Sequence, residues 1–391
     1  MTFREMMRTT TTFGLAKRFM KNQTKLHLHP MKAMSTETGN VIAEKIGNKG
    51  VITLDRPKAL NALSLNMIRQ IYQTLKKWHT DPDMKMVIIK AKKDSKAFSA
   101  GGDVKAIAET KDQDTNLRDT FFREEYSLNN LIANLTIPYV ALLDGVTIGG
   151  AMGLSIHGTF QVATERTVFA MPETAIGYFP DVGSSYVLPR LPGKLGLFLG
   201  LTGYRLVGWE VLKGRIATHF SSSQTLEHVE GDLMRLASPN ISDIVKILQK
   251  NQDQCETEFR KELDFEQLMG RINSAFSAPS VDAIVKNLSK DASEWAQEQA
   301  KILRKMSPLS LKVTFRAFQE GPGLTLEDAL KMEFRLCQRF MEDSDFYEGV
   351  RAVLIDRSGE PKWNPATLAD VTEEKVNSYF APLPADKELR L

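Results

Sequence analysis

Between Val41 and Met171, short apolar runs of strand length alternate with segments of helical period, and this alternation restricts the fold more than any other feature of the chain. Val41 to Ile46 and Gly50 to Leu54 are β-prone runs separated by Gly47, Asn48 and Lys49, which reads as a hairpin. Ser64 then precedes Ile68, Ile71, Tyr72, Leu75 and Trp78 at helical spacing, predicting a helix that the serine caps and that Asp81 and Pro82 end. Met86 to Ala91 is a continuous apolar run, as expected of a strand buried on both faces. A second cycle follows: helical period from Phe121 to Leu135, a strand from Tyr139 to Leu143, and Gly149, Gly150 and Gly153 opening a further helix. Two more short strands, Phe160 to Ala163 and Val168 to Met171, come next. Strands alternating with helices predict an α/β fold with mostly parallel strands. From about Gly193 the pattern is almost entirely helical, with Thr325 and Ser344 as caps and the Gly321-Pro322-Gly323 turn dividing two helices. No internal repeat is visible. The expected organisation is an α/β core over residues 35–220 and a mainly helical region, 221–391, packed on it.

With 42% hydrophobic residues, a chain of 391 can bury one large core or two smaller ones. Its apolar stretches, such as Pro138 to Leu143, fall far short of the roughly 20 residues a membrane-crossing helix needs, so no membrane partner is expected. Cys255 and Cys337 are too few for a disulfide framework, which points to a reducing compartment. The six histidines show no metal-ligand spacing, and no metal is expected. The formal charge of +3 is unevenly placed. Residues 1–34 hold seven bases against one acid, a net +6, which leaves −3 for the remainder. A net acidic body argues against a nucleic-acid partner. The leading stretch is also rich in Thr at positions 9 to 12 and interrupted by Leu, Phe and Met, as in a mitochondrial transit peptide. The mitochondrial matrix is the expected destination.

Three segments carry chemistry. Ala97 to Asp103 (AFSAGGD) is a strand-to-helix turn whose glycines permit close backbone approach. Gly145 to Gly153 (GVTIGGAMG) likewise offers free amides where a helix dipole would favour negative charge. Two amides converging on one carbonyl oxygen would make an oxyanion hole. Each glycine run is weak evidence alone, because tight turns use glycine for steric reasons. Neither run gives the dinucleotide spacing G-x-G-x-x-G, Gly193-Lys194 is not a Walker A sequence, and Gly153 to Gly158 misses the serine-hydrolase G-x-S-x-G by one residue. His157 reads as a satisfied core or surface histidine. The third segment, Phe169 to Gly183, places Glu173 and Asp181 eight residues apart in apolar surroundings, which raise carboxylate pKa values and suit acid, base or nucleophilic work. The plainer alternative is that Glu173 caps a helix after Pro172 and Asp181 caps a turn.

FSAGGD, the glycine cluster, MPETAIG and FPDVG, in this order and spacing, resemble the enoyl-CoA hydratase/isomerase (crotonase) superfamily, and FFREEY, PYVALLDG and SDFYEGVRAVLIDRSGEPKWNP narrow the likeness to its thioester-hydrolysing branch. The resemblance runs from about Val41 to the C-terminus. It implies a ββα superhelix core with a helical C-terminal region. It also implies that the Gly102 and Gly150 amides form the oxyanion hole, that Glu173 and Asp181 are catalytic, and that Glu125 contacts the acyl group and could hydrogen-bond its 3-hydroxyl. Lys105 and the backbone from Lys58 to Leu60 would receive the CoA nucleotide. The implied reaction is hydrolysis of 3-hydroxyisobutyryl-CoA, a step of valine breakdown, with 3-hydroxypropionyl-CoA as a second substrate. CoA enters with the substrate, and no separate cofactor is expected. Related enzymes commonly form trimers or pairs of trimers, and the helical tail is compatible with a homo-oligomer. Hydratases of the superfamily place a second catalytic glutamate three residues after the oxyanion glycine, and here that position is Gly153, which argues against hydration. Ser184, Ser185 and Ala151 stand where glycines are common, a departure that bears on rate or acyl preference. A noncatalytic RNA-binding member of the same fold is the alternative from another class.

The charge excess and the Thr-rich stretch both end before residue 38, so the import-processed protein is expected to begin near residues 30 to 38. N-terminal mass spectrometry on protein from isolated organelles checks this, and an intact Met1 on cytosolic protein contradicts it.

Overall fold

The computed structural model describes residues 40–391 except 112, 114, 115 and 260–264. The expected transit peptide lies outside the described residues. Strands β1 (Val41–Ile46) and β2 (Lys49–Leu54) form the anticipated antiparallel hairpin. Helix α1 (Leu65–His79) starts where Ser64 Oγ accepts from the Met67 amide at 3.3 Å. It buries Met67, Ile68, Ile71, Leu75 and Trp78, an i, i+3, i+4 stripe that faces the core.

The chain then repeats one move three times. β3 (Met86–Ala91) leads to β4 (Ala97–Ser99), β5 (Tyr139–Leu143) to β6 (Val146–Ile148), and β7 (Phe160–Ala163) to β8 (Val168–Ala170). In each cycle the first strand joins a six-stranded sheet of order β1-β2-β3-β5-β7-β10, and the second joins a four-stranded sheet of order β4-β6-β8-β9. All pairings among β2 to β8 are parallel. The edge strands β9 (Leu206–Val207) and β10 (His219–Phe220) pair antiparallel to β8 and parallel to β7. This is the superhelical α/β core that the resemblance implied. The repeat is one of backbone path, built from strands as short as three residues, too few to leave a periodic signal in the sequence.

Between cycles lie α2 (Val104–Ala108) and α3 (Leu117–Ala133), and α3 packs against α1 and against the later helix Leu326–Glu342. Helices dominate after Leu195, with Thr325 Oγ1 capping the Leu326–Glu342 helix as expected. Ser344 differs: its backbone is already helical and its side chain makes no cap bond.

The glycine cluster does not open an α-helix. Gly149–Ala151 is one turn of 3-10 helix followed by irregular turns. Its neighbourhood takes up the carbonyls that a helix would use: Tyr139 OH donates to Leu154 O at 2.9 Å, and Gln161 Nε2 to Ser155 O and Gly158 O, each at 2.9 Å. With only this turn and the five-residue α2 nearby, a helix macrodipole contributes little, and the individual amides carry the argument.

Crossing from the large sheet to the small one requires a sharp bend at Gly145, whose φ is +91°, and a Cβ there would stand 2.5 Å from Lys96 O. Gly145→Ala is therefore expected to destabilise the protein by about 1–3 kcal/mol, read as a lower urea midpoint at unchanged slope. An unchanged midpoint would show that the bend tolerates a side chain.

Candidate active site

The small sheet aims three segments at one place. β4, β6 and β8 are parallel neighbours, and just past their C-terminal ends come Gly101-Gly102, Gly149-Gly150 and Met171-Pro172-Glu173. Parallel α/β sheets bind ligands beyond the carboxyl ends of their strands. The approach is close. A Cβ built on Gly150 would lie 3.0 Å from Gly102 N, and one on Gly149 would lie 2.7 Å from Glu173 Oε1. The Gly102 and Gly150 amides thus sit together with a carboxylate beside them. Among the described residues, no turn or loop carbonyl accepts from either amide. Two uncommitted donors so placed fit the negative oxygen of a tetrahedral intermediate.

Glu125 reaches the same place from α3. Its neighbour Glu124 turns outward into a two-point ion pair with Arg69, both distances 2.7 Å, whereas Glu125 is 3% exposed and points its Oε1 to within 2.7 Å of where a Gly150 Cβ would be. Glu173 is 7% exposed and Asp181 5%. Glu173 opens a 3-10 turn, Glu173–Ile176, and Asp181 Oδ2 accepts from Tyr126 OH at 2.7 Å and Tyr178 OH at 3.2 Å, so neither acid serves as a simple cap. Among the described residues, Glu125 Oε1 and Glu173 Oε2 have no hydrogen-bond partner.

Burial sets the protonation behaviour of all three. It pushes Glu125 well above the usual carboxylate range, with Asp181 and then Glu173 adding like-charge repulsion. Glu173 is raised by burial and then by Asp181. Burial also lifts Asp181, to about 6, against the two tyrosine hydroxyls that stabilise its anion.

Asp181 sits on a loop under strain that is held at several points. Val182, a β-branched residue, adopts φ +54°, and His157 Nε2 meets Val182 O at 2.7 Å. His157 is thus a satisfied, half-buried histidine, pushed down to about 4 by loss of solvation. Glu333, fully buried on the Leu326–Glu342 helix, accepts from Gly183 N at 2.7 Å, Ser185 N at 2.8 Å and Ser185 Oγ at 2.6 Å. Burial raises Glu333 to about 8. Sequence reasoning missed this residue, which stands 148 positions beyond Ser185. The one available signal was an acid on the apolar face that also carries Leu330, Phe334 and Cys337. Ser185, noted as a departure from glycine, is the partner that answers it.

The residues expected to meet CoA form the rim. Ala100 N donates to Leu60 O at 2.9 Å, which joins the Lys58–Leu60 turn to the Gly101-Gly102 loop. Lys105 is exposed on α2 just beyond that loop.

Comparison with known proteins gives the family. The enoyl-CoA hydratase/isomerase family model matches residues 49–380. This chain belongs to that family. The mitochondrial 3-hydroxyisobutyryl-CoA hydrolase of Mus musculus is 54% identical over 355 residues, covering 91% of this chain and 92% of its own. That of Homo sapiens is 50% identical over 380 residues, with 97% of each chain covered. Among solved structures, a carnitinyl-CoA dehydratase from Mycobacterium thermoresistibile matches with a TM-score of 0.82 at 32% identity, over 90% of this chain and 99% of that one. An enoyl-CoA hydratase from Rhodobacter sphaeroides 2.4.1 matches with a TM-score of 0.80 at 32% identity, over 90% and 100%.

Against this family background Gly153 gains meaning. A Cβ built there would lie 2.6 Å from Asn129 Nδ2 and 2.8 Å from Val182 Cβ, so the space a glutamate would need is already filled.

The raised Glu173 pKa makes a stability prediction. A buried acid whose folded-state pKa exceeds its unfolded value favours folding below the unfolded pKa, and that contribution is lost as pH rises through the folded value. Glu173→Gln removes the charge, so its melting temperature should exceed that of the unsubstituted protein by a few degrees at pH 8, with the gap closing towards pH 4. Melting curves across that range check it, and a gap independent of pH would mean that the Glu173 charge is not the cause.

Proposed function

We propose that the protein hydrolyses 3-hydroxyisobutyryl-CoA to 3-hydroxyisobutyrate and CoA in the mitochondrial matrix, as a step of valine catabolism. The observation that carries this reading is the convergence of Glu125, Glu173 and Asp181, all buried, on the paired amides of Gly102 and Gly150. The likeness to hydrolases named for that substrate supports the choice of acyl group, and 3-hydroxypropionyl-CoA, one methyl smaller, is a second substrate in this reading.

The thioester oxygen lies between the Gly102 and Gly150 amides, each donor lowering the barrier by about 3–4 kcal/mol as charge develops on that oxygen. Glu173 faces the carbonyl carbon. Two routes use the same groups. In one, a Glu173 carboxylate oxygen attacks, the carbon–sulfur bond breaks, and water cleaves the resulting mixed anhydride. In the other, Glu173 takes a proton from water, whose oxygen attacks the carbon directly, and the carbon–sulfur bond breaks as the tetrahedral intermediate collapses. Asp181, lifted to about 6, is matched to proton transfer near neutral pH and can protonate the departing CoA thiolate. Glu125 hydrogen-bonds the 3-hydroxyl, and Lys58, Leu60 and Lys105 meet the CoA nucleotide. CoA arrives and leaves with the substrate, so no separate cofactor is needed. Every named group comes from one chain, and a homo-oligomer through the C-terminal helices is compatible with this arrangement.

Hydration needs a second carboxylate at Gly153, where the packing of Asn129 and Val182 leaves no room. Hydrolysis needs none there.

Glu173→Gln should lower kcat by several orders of magnitude with little change in binding of the CoA ester, the pattern of a group used mainly in the transition state. Asp181→Asn should also fall steeply. Thiol release from 3-hydroxyisobutyryl-CoA measures both, and near-normal turnover by both variants would overturn the site. Single turnover in heavy-oxygen water tests the first route: label in the Glu173 carboxylate marks side-chain attack with water cleaving the anhydride at the glutamyl carbon, an outcome that base catalysis cannot give.

A further inference from the structure

Asn129 is wholly buried, yet neither its Nδ2 nor its Oδ1 has a hydrogen-bond partner among the described residues. Buried polar groups are almost always satisfied, because an unpaired amide forfeits its hydrogen bonds to water and gains nothing in return. Such a group is tolerated where something else is meant to satisfy it. Asn129 lies four residues after Glu125 on α3, and residues so spaced are neighbours on one helix face. Glu125 Oε1 is likewise unpartnered. The facing segment has matching spacing: Glu125 Oε1 lies 2.7 Å from where a Gly150 Cβ would be, and Asn129 Nδ2 lies 2.6 Å from where a Gly153 Cβ would be. Two side chains of one helix face are thus laid against two residues without side chains, next to the oxyanion amide. One of the three residues between them in the chain, Tyr126, donates to Asp181, so the same helix serves recognition and chemistry.

The geometry points to Asn129 as a specificity-determining residue that, together with Glu125, binds the hydroxyl of the acyl group. This rests on the proposed reading of the site as one for a 3-hydroxyacyl thioester, and it adds a second partner for the hydroxyl. An alcohol has one proton to give and two lone pairs to receive with. Asn129 Nδ2 donates to the hydroxyl oxygen, and the hydroxyl proton goes to Glu125 Oε1, so one ligand group satisfies an orphaned atom on each residue. A site built in this way penalises an acyl group that lacks the hydroxyl, since its polar atoms then stay unpaired.

The test compares the unsubstituted protein with Asn129→Leu, of similar size but without polar atoms, and with Asn129→Ser, which keeps one hydroxyl should the leucine variant fold poorly. Each is titrated calorimetrically with two unreactive CoA thioethers, one bearing a 3-hydroxy-2-methylpropyl group and the other a 2-methylpropyl group. Hydrolysis of 3-hydroxyisobutyryl-CoA and isobutyryl-CoA is measured in parallel. The expected result is that the unsubstituted protein prefers the hydroxylated thioether and that Asn129→Leu loses this preference. Its kcat/KM should fall roughly 10- to 100-fold on the hydroxylated ester, with much less change on the other. Asn129→Ser should fall between. If Asn129→Leu keeps the preference, or loses activity equally on both esters, Asn129 has no part in recognition, while the Glu125 reading survives. If the unsubstituted protein shows no preference, hydroxyl recognition itself is wrong and both assignments fall. Neither binding outcome depends on whether Glu173 performs hydrolysis.

Discussion

The site depends on the cost of keeping carboxylates out of water. Glu125, Glu173 and Asp181 are buried together, and desolvation is the largest influence on each. An arginine or lysine among them would restore ordinary acidity and abolish the basicity that makes a carboxylate useful at neutral pH. The acids are instead answered by neutral groups: two tyrosine hydroxyls hold Asp181, and Glu125 and Glu173 each keep an oxygen without a partner. An unmet acceptor next to two unspent amides is unfavourable for the folded chain but favourable for a ligand that arrives with complementary atoms. Lys58 and Lys105 are exposed, which keeps their cations away from the buried carboxylates.

Such an arrangement survives only if the backbone around it is fixed by other means. The loop after Asp181 carries its strain at Val182, and the compensating interactions come from far along the chain: His157 on the Val182 carbonyl, and Glu333 on the Gly183 and Ser185 amides. Glu333 is the counterpart of the three acids of the site. It is equally buried, but its oxygens accept from three donors within 2.8 Å, so it fixes the loop rather than waiting for a ligand. This division explains why the helical region cannot be detached from the chemistry. The helix that carries Glu333 also packs on α3, which supplies Glu125 and Tyr126. Stability in the C-terminal half is thereby converted into geometry at the site.

Much of this was legible in the sequence because the longer elements announce themselves by period: α1 with its serine cap, β3 and β5 as apolar runs, the hairpin at the start. What was illegible follows from length and distance. The three-residue strands of the small sheet are too short for a pattern, although they bring the glycine turns and Glu173 together. Local spacing makes the glycine cluster look like the start of a helix and cannot reveal that Tyr139 and Gln161 take the nearby carbonyls. The Glu124 and Glu125 pair shows the same limit: two adjacent acids differ only in that Arg69, on α1, takes one of them. Glu173 and Asp181 were found through a resemblance, not through their spacing, for eight residues of Gly- and Pro-rich loop do not fix where two carboxylates point.

Gly153 and Asn129 show how one scaffold can separate two reactions of the same substrate class. Adding water across a double bond requires a second acid opposite the first, whereas cleaving a thioester requires stabilisation of the carbonyl oxygen and a single acid directed at the carbonyl carbon. In this chain the residue at 153 lacks a side chain, and a neutral carboxamide from α3 reaches the space beside it. Refilling that space with a glutamate would displace Asn129 and press on Val182, the strained residue next to Asp181. It would also add a fourth acid to a pocket in which Asp181 already raises the pKa of both Glu125 and Glu173. A single exchange at 153 therefore does not interconvert the two activities, because the loss of the hydratase-type acid is tied by packing to both the carboxamide and the loop that holds Asp181.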